Sequence, residues 1–221
     1  MTHSAPVVER LDILGPAGSL ELLEECSQAG DPRGVVVVCH PHPLHGGTME
    51  NKVVHTLARA CLAVDCVSIR FNYRGVGKSE GSYDDGRGEA DDAVAVARWA
   101  KQRWPGRPLL MAGFSFGAMV VISVEHLLTP SLLVAVAPPV ERLPATLEQP
   151  QCPWLVIQGD EDTVVDTDDV VDWFNSLDPG PELRVMAGAE HFFHGRLIEL
   201  RENVVEFLDR FLAKRSAQQD T

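Results

Sequence analysis

The stretch Leu109-Leu110-Met111-Ala112-Gly113-Phe114-Ser115-Phe116-Gly117 decides how the rest of the chain is read. Leu109 to Ala112 is a short, wholly apolar run, the pattern of a strand buried on both faces. It breaks at a G-x-S-x-G sequence and resumes from Ser115 to about Leu127 as a predicted helix. In a chain of 221 residues this five-residue pattern arises by chance on the order of 0.1 times. Its placement therefore says more than its letters. A turn too tight for side chains at the flanking glycines would lift the Ser115 hydroxyl above the sheet edge, beside a helix N-terminus. The competing account is a serine that merely caps a helix.

The same strand-helix rhythm extends both ways. Upstream, Gly34 to Cys39 is a buried strand built on Val35 to Val38. Thr48 is placed to cap a helix carrying Val53, Val54, Leu57, Ala58 and Cys61, and Cys66 to Phe71 is the next strand, followed by a helix over about Gly88 to Arg103. Downstream, strands are expected at Leu132 to Ala137, Trp154 to Gln158 and Leu183 to Met186. Helices are expected near Asp168 to Leu177 and over Leu197 to Leu212, the latter beginning near His194. Before all of these, Val7 to Leu14 and Leu20 to Cys26 flank the turn Gly15-Pro16-Ala17-Gly18 and suggest an antiparallel hairpin. Strands alternating with helices imply an α/β fold, one mostly parallel sheet of about eight strands covered on both faces. No linker or repeat interrupts 1–221, so a single domain is expected, with 213–221 as a frayed tail.

Hydrophobic residues make up 45% of the chain and charged residues 23%, which supports a packed core and disfavours disorder. A formal net charge of −13 would repel nucleic acid and anionic membranes, so neither is an expected partner. The five cysteines, Cys26, Cys39, Cys61, Cys66 and Cys152, form no C-x-x-C pair, which suggests a reducing cytoplasm. Met1 to Leu14 lacks the features of an export signal, and no apolar run reaches the roughly 20 residues of a membrane span.

A serine becomes a nucleophile only when a base takes its proton and a third group orients that base. Asp162 follows the strand Trp154 to Gln158, and His191 follows the strand Leu183 to Met186, so both are expected at the sheet edge that carries Ser115. Asp160 competes with Asp162, and His194 competes with His191, although the phase of the last helix commits His194 to packing or solvent. A calcium loop over Asp160 to Asp172 is a poor fit, since Val165 and Val171 stand where its glycine and glutamate are needed.

The sequence resembles the small bacterial α/β hydrolases without a lid, serine hydrolases with examples from Xanthomonas. The resemblance spans nearly the whole chain. It rests on His40-Pro41, Gly46-Gly47-Thr48-Met49 with Asn51 to Val54, Arg70 to Gly77 with Ser79, Ala112 to Gly117, Gly159 to Asp162, and His191 to His194. It implies the α/β-hydrolase fold and hydrolase chemistry, with Ser115 as nucleophile, Asp162 as acid and His191 as base, but no particular substrate. The expected reaction attacks the ester-like carbonyl of a small acyl substrate and needs no cofactor. The Gly-x-x-Asp spacing of that family favours Asp162 over Asp160.

An oxyanion needs two N–H donors. Phe116, directly after Ser115, offers one. The second is expected from the loop His40-Pro41-His42-Pro43-Leu44, where the prolines have no donor and His42 or Leu44 is left; His-Gly-x versions of this loop in related hydrolases favour His42. The rival reading is a zinc-dependent hydrolase with His40, His42 and His45 as ligands, in a partial match to H-x-H-x-D-H that has Leu44 at the Asp position. A binding protein without turnover is a second rival. The sixteen residues Pro138 to Pro153 contain five prolines and are too short for a helical lid, so an open site is expected, lined by His40, Leu44, Phe114, Phe116 and Phe192.

Overall fold

Val35 to Val38 show how this chain folds: Val35 and Val37 pack into the core on one side of a sheet, Val36 and Val38 into the core on the other. The two-residue period of a strand divides a continuous apolar run between two layers. Leu109 and Met111 against Leu110 and Ala112 repeat the division, as do Leu133 and Ala135 against Leu132 and Val134.

The computed structural model describes residues 5–28, 30–144 and 147–219. Its strands are β1 (Val7–Gly15), β2 (Gly18–Cys26), β3 (Gly34–Cys39), β4 (Cys66–Phe71), β5 (Leu109–Phe114), β6 (Leu132–Val136), β7 (Trp154–Gly159) and β8 (Glu182–Met186). Between and after them lie α1 (Lys52–Ala63), α2 (Arg87–Arg103), α3 (Phe116–Ser123), α4 (Glu125–Leu128), α5 (Thr167–Asn175) and α6 (Leu197–Gln219). Among the described residues the strands form one sheet in the order β1-β2-β4-β3-β5-β6-β7-β8. β1 and β2 make the antiparallel hairpin, β2 joins β4 antiparallel, and every pairing from β4 to β8 is parallel. α1 and α6 supply residues to one core, and α2, α3 and α5 to the other. This is the α/β-hydrolase fold. No helix in the described residues is long and apolar enough to cross a membrane.

The expected elements are present with four changes at their ends. Thr48 does not cap α1; Asn51 does, its Oδ1 accepting from Val53 and Val54 N–H, while Thr48 Oγ1 accepts from Glu50 N–H. The helix expected from Ser115 to Leu127 is broken at Val124. There Glu125 turns inward, and its carboxylate takes the N–H groups of Gln151 and Cys152. The last helix begins at Leu197, later than His194, and it runs to Gln219 where a frayed tail was expected. Ala213, Lys214, Arg215 and Ala217 are strong helix formers, and the Ser216 hydroxyl bonds back to Leu212 O. The final two residues, 220 and 221, lie outside the described ones.

The run Arg70 to Arg74 is scaffolding for the loops at the C-terminal sheet edge. Arg70 pairs with Glu25 of β2 and donates to Met49 O; Asn72 joins Glu21 to Met49 N–H; Arg74 forms a bidentate pair with the buried Asp92 of α2. His40, fully buried at the end of β3, completes the tie: its Nε2 accepts from Tyr73 N–H at 3.2 Å while Nδ1 donates to Pro41 O at 2.7 Å. Both ring nitrogens are thus satisfied by the neutral imidazole.

Burial pulls the His40 imidazole down to about 4, despite its bond to Pro41. The unfolded chain takes up that proton near pH 6.5 and the folded protein does not, so stability falls as pH drops from about 6.5 to about 4 and then levels, a loss of about 3 kcal/mol. Urea unfolding at a series of pH values should show this fall, and His40→Gln should flatten it. An unchanged pH slope in the variant would remove His40 as its source.

Candidate active site

Ser115 is built into its position by steric exclusion around it. The chain leaves β5, reverses at Ser115 and enters α3, and the turn leaves no room for side chains at two glycines. A Cβ on Gly113 would lie 2.2 Å from Gly117 O, and one on Gly117 would lie 2.3 Å from Cys39 O. Ser115 itself takes φ 54° and ψ −121°, a conformation that L residues rarely adopt. Its N–H donates to Val136 O at 2.8 Å, and its carbonyl accepts from Ala118 N–H at 2.8 Å, which anchors the turn between β6 and α3. Ser115 is not a helix cap: its side chain makes no capping bond and faces outward to another partner.

That partner is His191. The imidazole Nε2 stands 3.1 Å from Ser115 Oγ, and Nδ1 stands 2.7 Å from Asp162 Oδ2. The three side chains expected from separate strand ends are therefore joined in one hydrogen-bonded row. Asp162 shows no exposed side-chain surface, and His191 shows 5%. Burial raises the Asp162 carboxyl, but bonds from His191 and from the Val165 and Val164 N–H groups outweigh it and hold the carboxyl below its ordinary range. It is an anion at neutral pH, accepting Nδ1–H and leaving Nε2 free to accept from the serine. Phe114 and Phe192 flank the imidazole, with ring centroids 5.1 and 5.0 Å away. The loops that carry Asp162 and His191 are bonded to each other, Glu161 N–H to Ala189 O and Asp160 N–H to Met186 O.

The competitors have other employment. Asp160 Oδ1 accepts from Gly188 N–H at 2.6 Å, and the exposed His194 pairs with Glu190. The three loop histidines do not converge on a shared point. His40 spends both nitrogens on backbone; His42 accepts from Leu44 N–H through Nδ1 and meets Tyr83 OH through Nε2; His45 stacks on His42 with centroids 4.5 Å apart. Among the described residues no group of three or more His, Cys, Asp or Glu is arranged to hold a metal ion.

Two of the expected lining residues are corrected. His40 and Phe114 are both fully buried and line nothing: His40 is locked to Tyr73 and Pro41, and Phe114 backs His191 from inside the core. Leu44 and Phe192 are exposed at the rim, 67% and 42% respectively. Leu44 N–H is spent on His42, whereas the N–H groups of Phe116 and His42 meet no protein acceptor among the described residues. Between β6 and β7 the described residues hold only a short 3-10 turn, Val140–Arg142, so no lid helix overhangs the serine.

Gln158 was not singled out in the sequence, although a lone polar residue ending the apolar run Trp154 to Ile157 is a signal. It is fully buried, and its Nε2 lies 3.2 Å from Asp162 Oδ2, 3.2 Å from Val165 O and 3.5 Å from Thr167 Oγ1. Thr167 Oγ1 already donates to Gly159 O, so every neighbour of that amide nitrogen is an acceptor. Gln158 thus donates to the same carboxylate oxygen that holds His191, and it acts as a positioning residue. The Nδ1 proton of His191 should give a far-downfield proton resonance in solution, absent in Asp162→Ala. In Gln158→Leu it should move further downfield, because an oxygen relieved of one donor accepts more strongly from the other. A resonance unmoved by Gln158→Leu would show that this amide does not act on the carboxylate.

The family model described as serine aminopeptidase, S33, matches residues 30–142, just over half of the chain. An uncharacterized protein of Rickettsia prowazekii (strain Madrid E) is 33% identical over 207 residues, covering 88% of this chain and 86% of its own length. An α/β serine hydrolase homologue from Coxiella burnetii superposes with a TM-score of 0.87 at 47% identity, over 90% of this chain and 97% of that one. A Xanthomonas campestris protein described as an α/β serine hydrolase without a lid gives 0.88 at 40% identity, over 92% and 94%. With its nucleophile turn, its uncovered sheet edge and these relatives, the chain belongs to the lidless α/β serine hydrolases of the serine aminopeptidase S33 family.

Proposed function

We propose that this protein hydrolyses small carboxylic esters or thioesters through an acyl-enzyme on Ser115, with His191 as base and Asp162 as the acid that orients it. The observation that carries the reading is the row Asp162 Oδ2 to His191 Nδ1, 2.7 Å, and His191 Nε2 to Ser115 Oγ, 3.1 Å, held by buried groups before any substrate arrives. His191 Nε2 takes the hydroxyl proton as Ser115 Oγ attacks the carbonyl carbon. The resulting oxyanion is held by Phe116 N–H and His42 N–H, which meet no protein acceptor among the described residues. The Asp162 carboxylate stabilises the imidazolium, which then protonates the departing alkoxide or thiolate. Water, deprotonated by the same nitrogen, releases the acid and restores the serine.

An aminopeptidase reading, suggested by the name of the family model, needs a carboxylate free to hold the substrate's amine. Most acids around the site are committed: Asp162 to His191 and two backbone N–H groups, Glu89 to the N–H groups of Asp84 and Gly86, and Glu190 to His194, while Asp85 shares its groove with Arg87 and Arg142. Ester hydrolysis asks for no such group, and the reading favours it for that reason. A binding protein without turnover would have no use for the strain stored at Ser115.

A fluorophosphonate should label Ser115 and no other residue, as read by mass spectrometry. Ser115→Ala and His191→Ala should each lower kcat by about 10⁴-fold or more, with little further loss in the double variant, because the residues act as one unit. Label found elsewhere, or losses that multiply, would overturn the assignment. Because no lid covers the site, the rate on p-nitrophenyl butyrate should pass smoothly through the concentration at which detergent forms micelles. A jump at that point would mean that something opens over the serine.

A further inference from the structure

The groove that begins beside Ser115 has a charge opposite to that of the molecule. It encloses about 550 Å³, within the range of small-molecule sites. Its floor is Phe116, the residue after the nucleophile, and Met119 one turn further along α3; Tyr83, Ala90 and Pro144 form apolar walls. It adjoins the oxyanion loop directly, because the His42 ring lies 5.0 Å from Phe116 and 5.1 Å from Tyr83. Gly86 also lines it, close enough that a Cβ there would touch Met119 and the Phe116 ring at 3.5 and 3.7 Å.

Two arginines, Arg87 and Arg142, line this groove. In a chain of net charge −13, most arginines have a carboxylate partner: Arg70 has Glu25, Arg74 has Asp92, Arg184 has Glu182 and Glu206. Arg87 has no ion pair among the described residues, and the nearest carboxylate to Arg142 is that of its own neighbour Glu141, at 4.0 Å. Both oxygens of the buried Glu89 are taken by Asp84 and Gly86 N–H. Asp85 also lines the groove, where it accepts from Tyr83 OH at 3.4 Å and forms no ion pair among the described residues, so one carboxylate stands against two guanidinium groups. Both charges reach the oxyanion loop: after burial and His45, Arg142 adds to the lowering of the His42 imidazole, and Asp85 opposes it less strongly.

From the groove, its position and its two guanidinium groups, one without an ion pair among the described residues and one held only at 4.0 Å by its neighbour, we infer that the preferred substrate is a small ester carrying a carboxylate, held by Arg87 and Arg142 while the scissile carbonyl lies at Ser115. This inference rests on the ester-hydrolase reading and narrows it to anionic substrates. The planar guanidinium fork suits a carboxylate, and the apolar walls suit a short carbon chain between the two ends. A substrate with a free amine would meet the wrong charge.

The test compares matched pairs of esters that differ in one charge: p-nitrophenyl butyrate with the mono-p-nitrophenyl ester of glutarate for the acyl half, and phenyl acetate with 4-acetoxybenzoate for the alcohol half. The quantity read is the ratio of kcat/KM for the anionic ester to that for the neutral one within the same protein, which cancels losses from altered folding. In at least one pair that ratio should fall about tenfold in Arg87→Gln/Arg142→Gln, fall further in Arg142→Glu, and decline with added salt. Arg98→Gln, on α2 outside the groove, should leave it unchanged. The pair that responds identifies the half of the substrate that lies in the groove. If neutral esters are turned over and neither ratio responds, the anionic preference is wrong while the ester reading stands. If no ester of either kind is turned over, the ester reading fails, and calorimetry with glutarate decides the groove on its own: binding abolished by the double variant supports an anion site, and no binding, or binding the variant keeps, overturns it.

Discussion

Everything at this site depends on how closely α3 passes over the ends of β3 and β5. Gly117 approaches the carbonyl of Cys39 so nearly that no side chain fits between them, and Gly113 lies in the same way against Gly117. That closeness forces the reversal at Ser115, and with it the positive φ that turns the hydroxyl outward and leaves Phe116 N–H at the start of the helix without a helical acceptor. It also fixes the spacing between the Phe116 N–H and the His40 to Leu44 loop, since that loop leaves β3 at the contact point. Strain of this kind persists only where the surroundings over-determine it. Here the bond from Ser115 N–H to Val136 O and the buried faces of α3 do so.

The remaining loops are held by polar ties instead of steric exclusion. His40 bonds the first turn to Tyr73, Asn72 bonds it to Glu21 and Met49, and the acid and base loops are laced by Glu161 and Asp160 N–H bonds to Ala189 and Met186 carbonyls. Each of these groups is satisfied within the protein, so the row of Ser115, His191 and Asp162 is assembled without help from a ligand. Gln158 adds a second donor to Asp162 Oδ2 and helps to keep that carboxylate oxygen aimed at the imidazole.

Much of this was legible in the sequence because parallel strands buried on both faces leave an unmistakable trace. Val35 to Val38, Leu109 to Ala112 and Leu132 to Val136 could hardly be anything but central strands, and residues just past their C-terminal ends had to share one edge. That logic, with the G-x-S-x-G pattern, put Ser115, Asp162 and His191 at one edge; the choice of Asp162 over Asp160 came from the family resemblance. It failed for His40 and Phe114, which stand at the same edge yet point inward; a strand's phase at its last residue is decided by packing partners that spacing does not reveal. The caps were misjudged for a similar reason. Thr48 and Asn51 are both good capping residues, and spacing alone does not tell which of them meets the free N–H groups. Tyr83 and Arg142 left no local trace, since they reach the groove from segments far apart in the chain.

Asp162 and His191 sit on the thinner half of the sheet. β8 is an edge strand with one buried residue, Met186, and α5 has one, Val170, whereas β3, β5, β6 and β7 are buried throughout. The family model ends at residue 142, so it covers the nucleophile turn and stops before either partner. Opening of the β8 margin costs less than unfolding the centre, and such sub-global openings are populated ahead of the global transition. A molecule in that state still presents a strained serine on an intact inner sheet, but with no imidazole beside it. Loss of chemistry under mild denaturation would then precede loss of shape, and it would be reversible for as long as the inner strands persist.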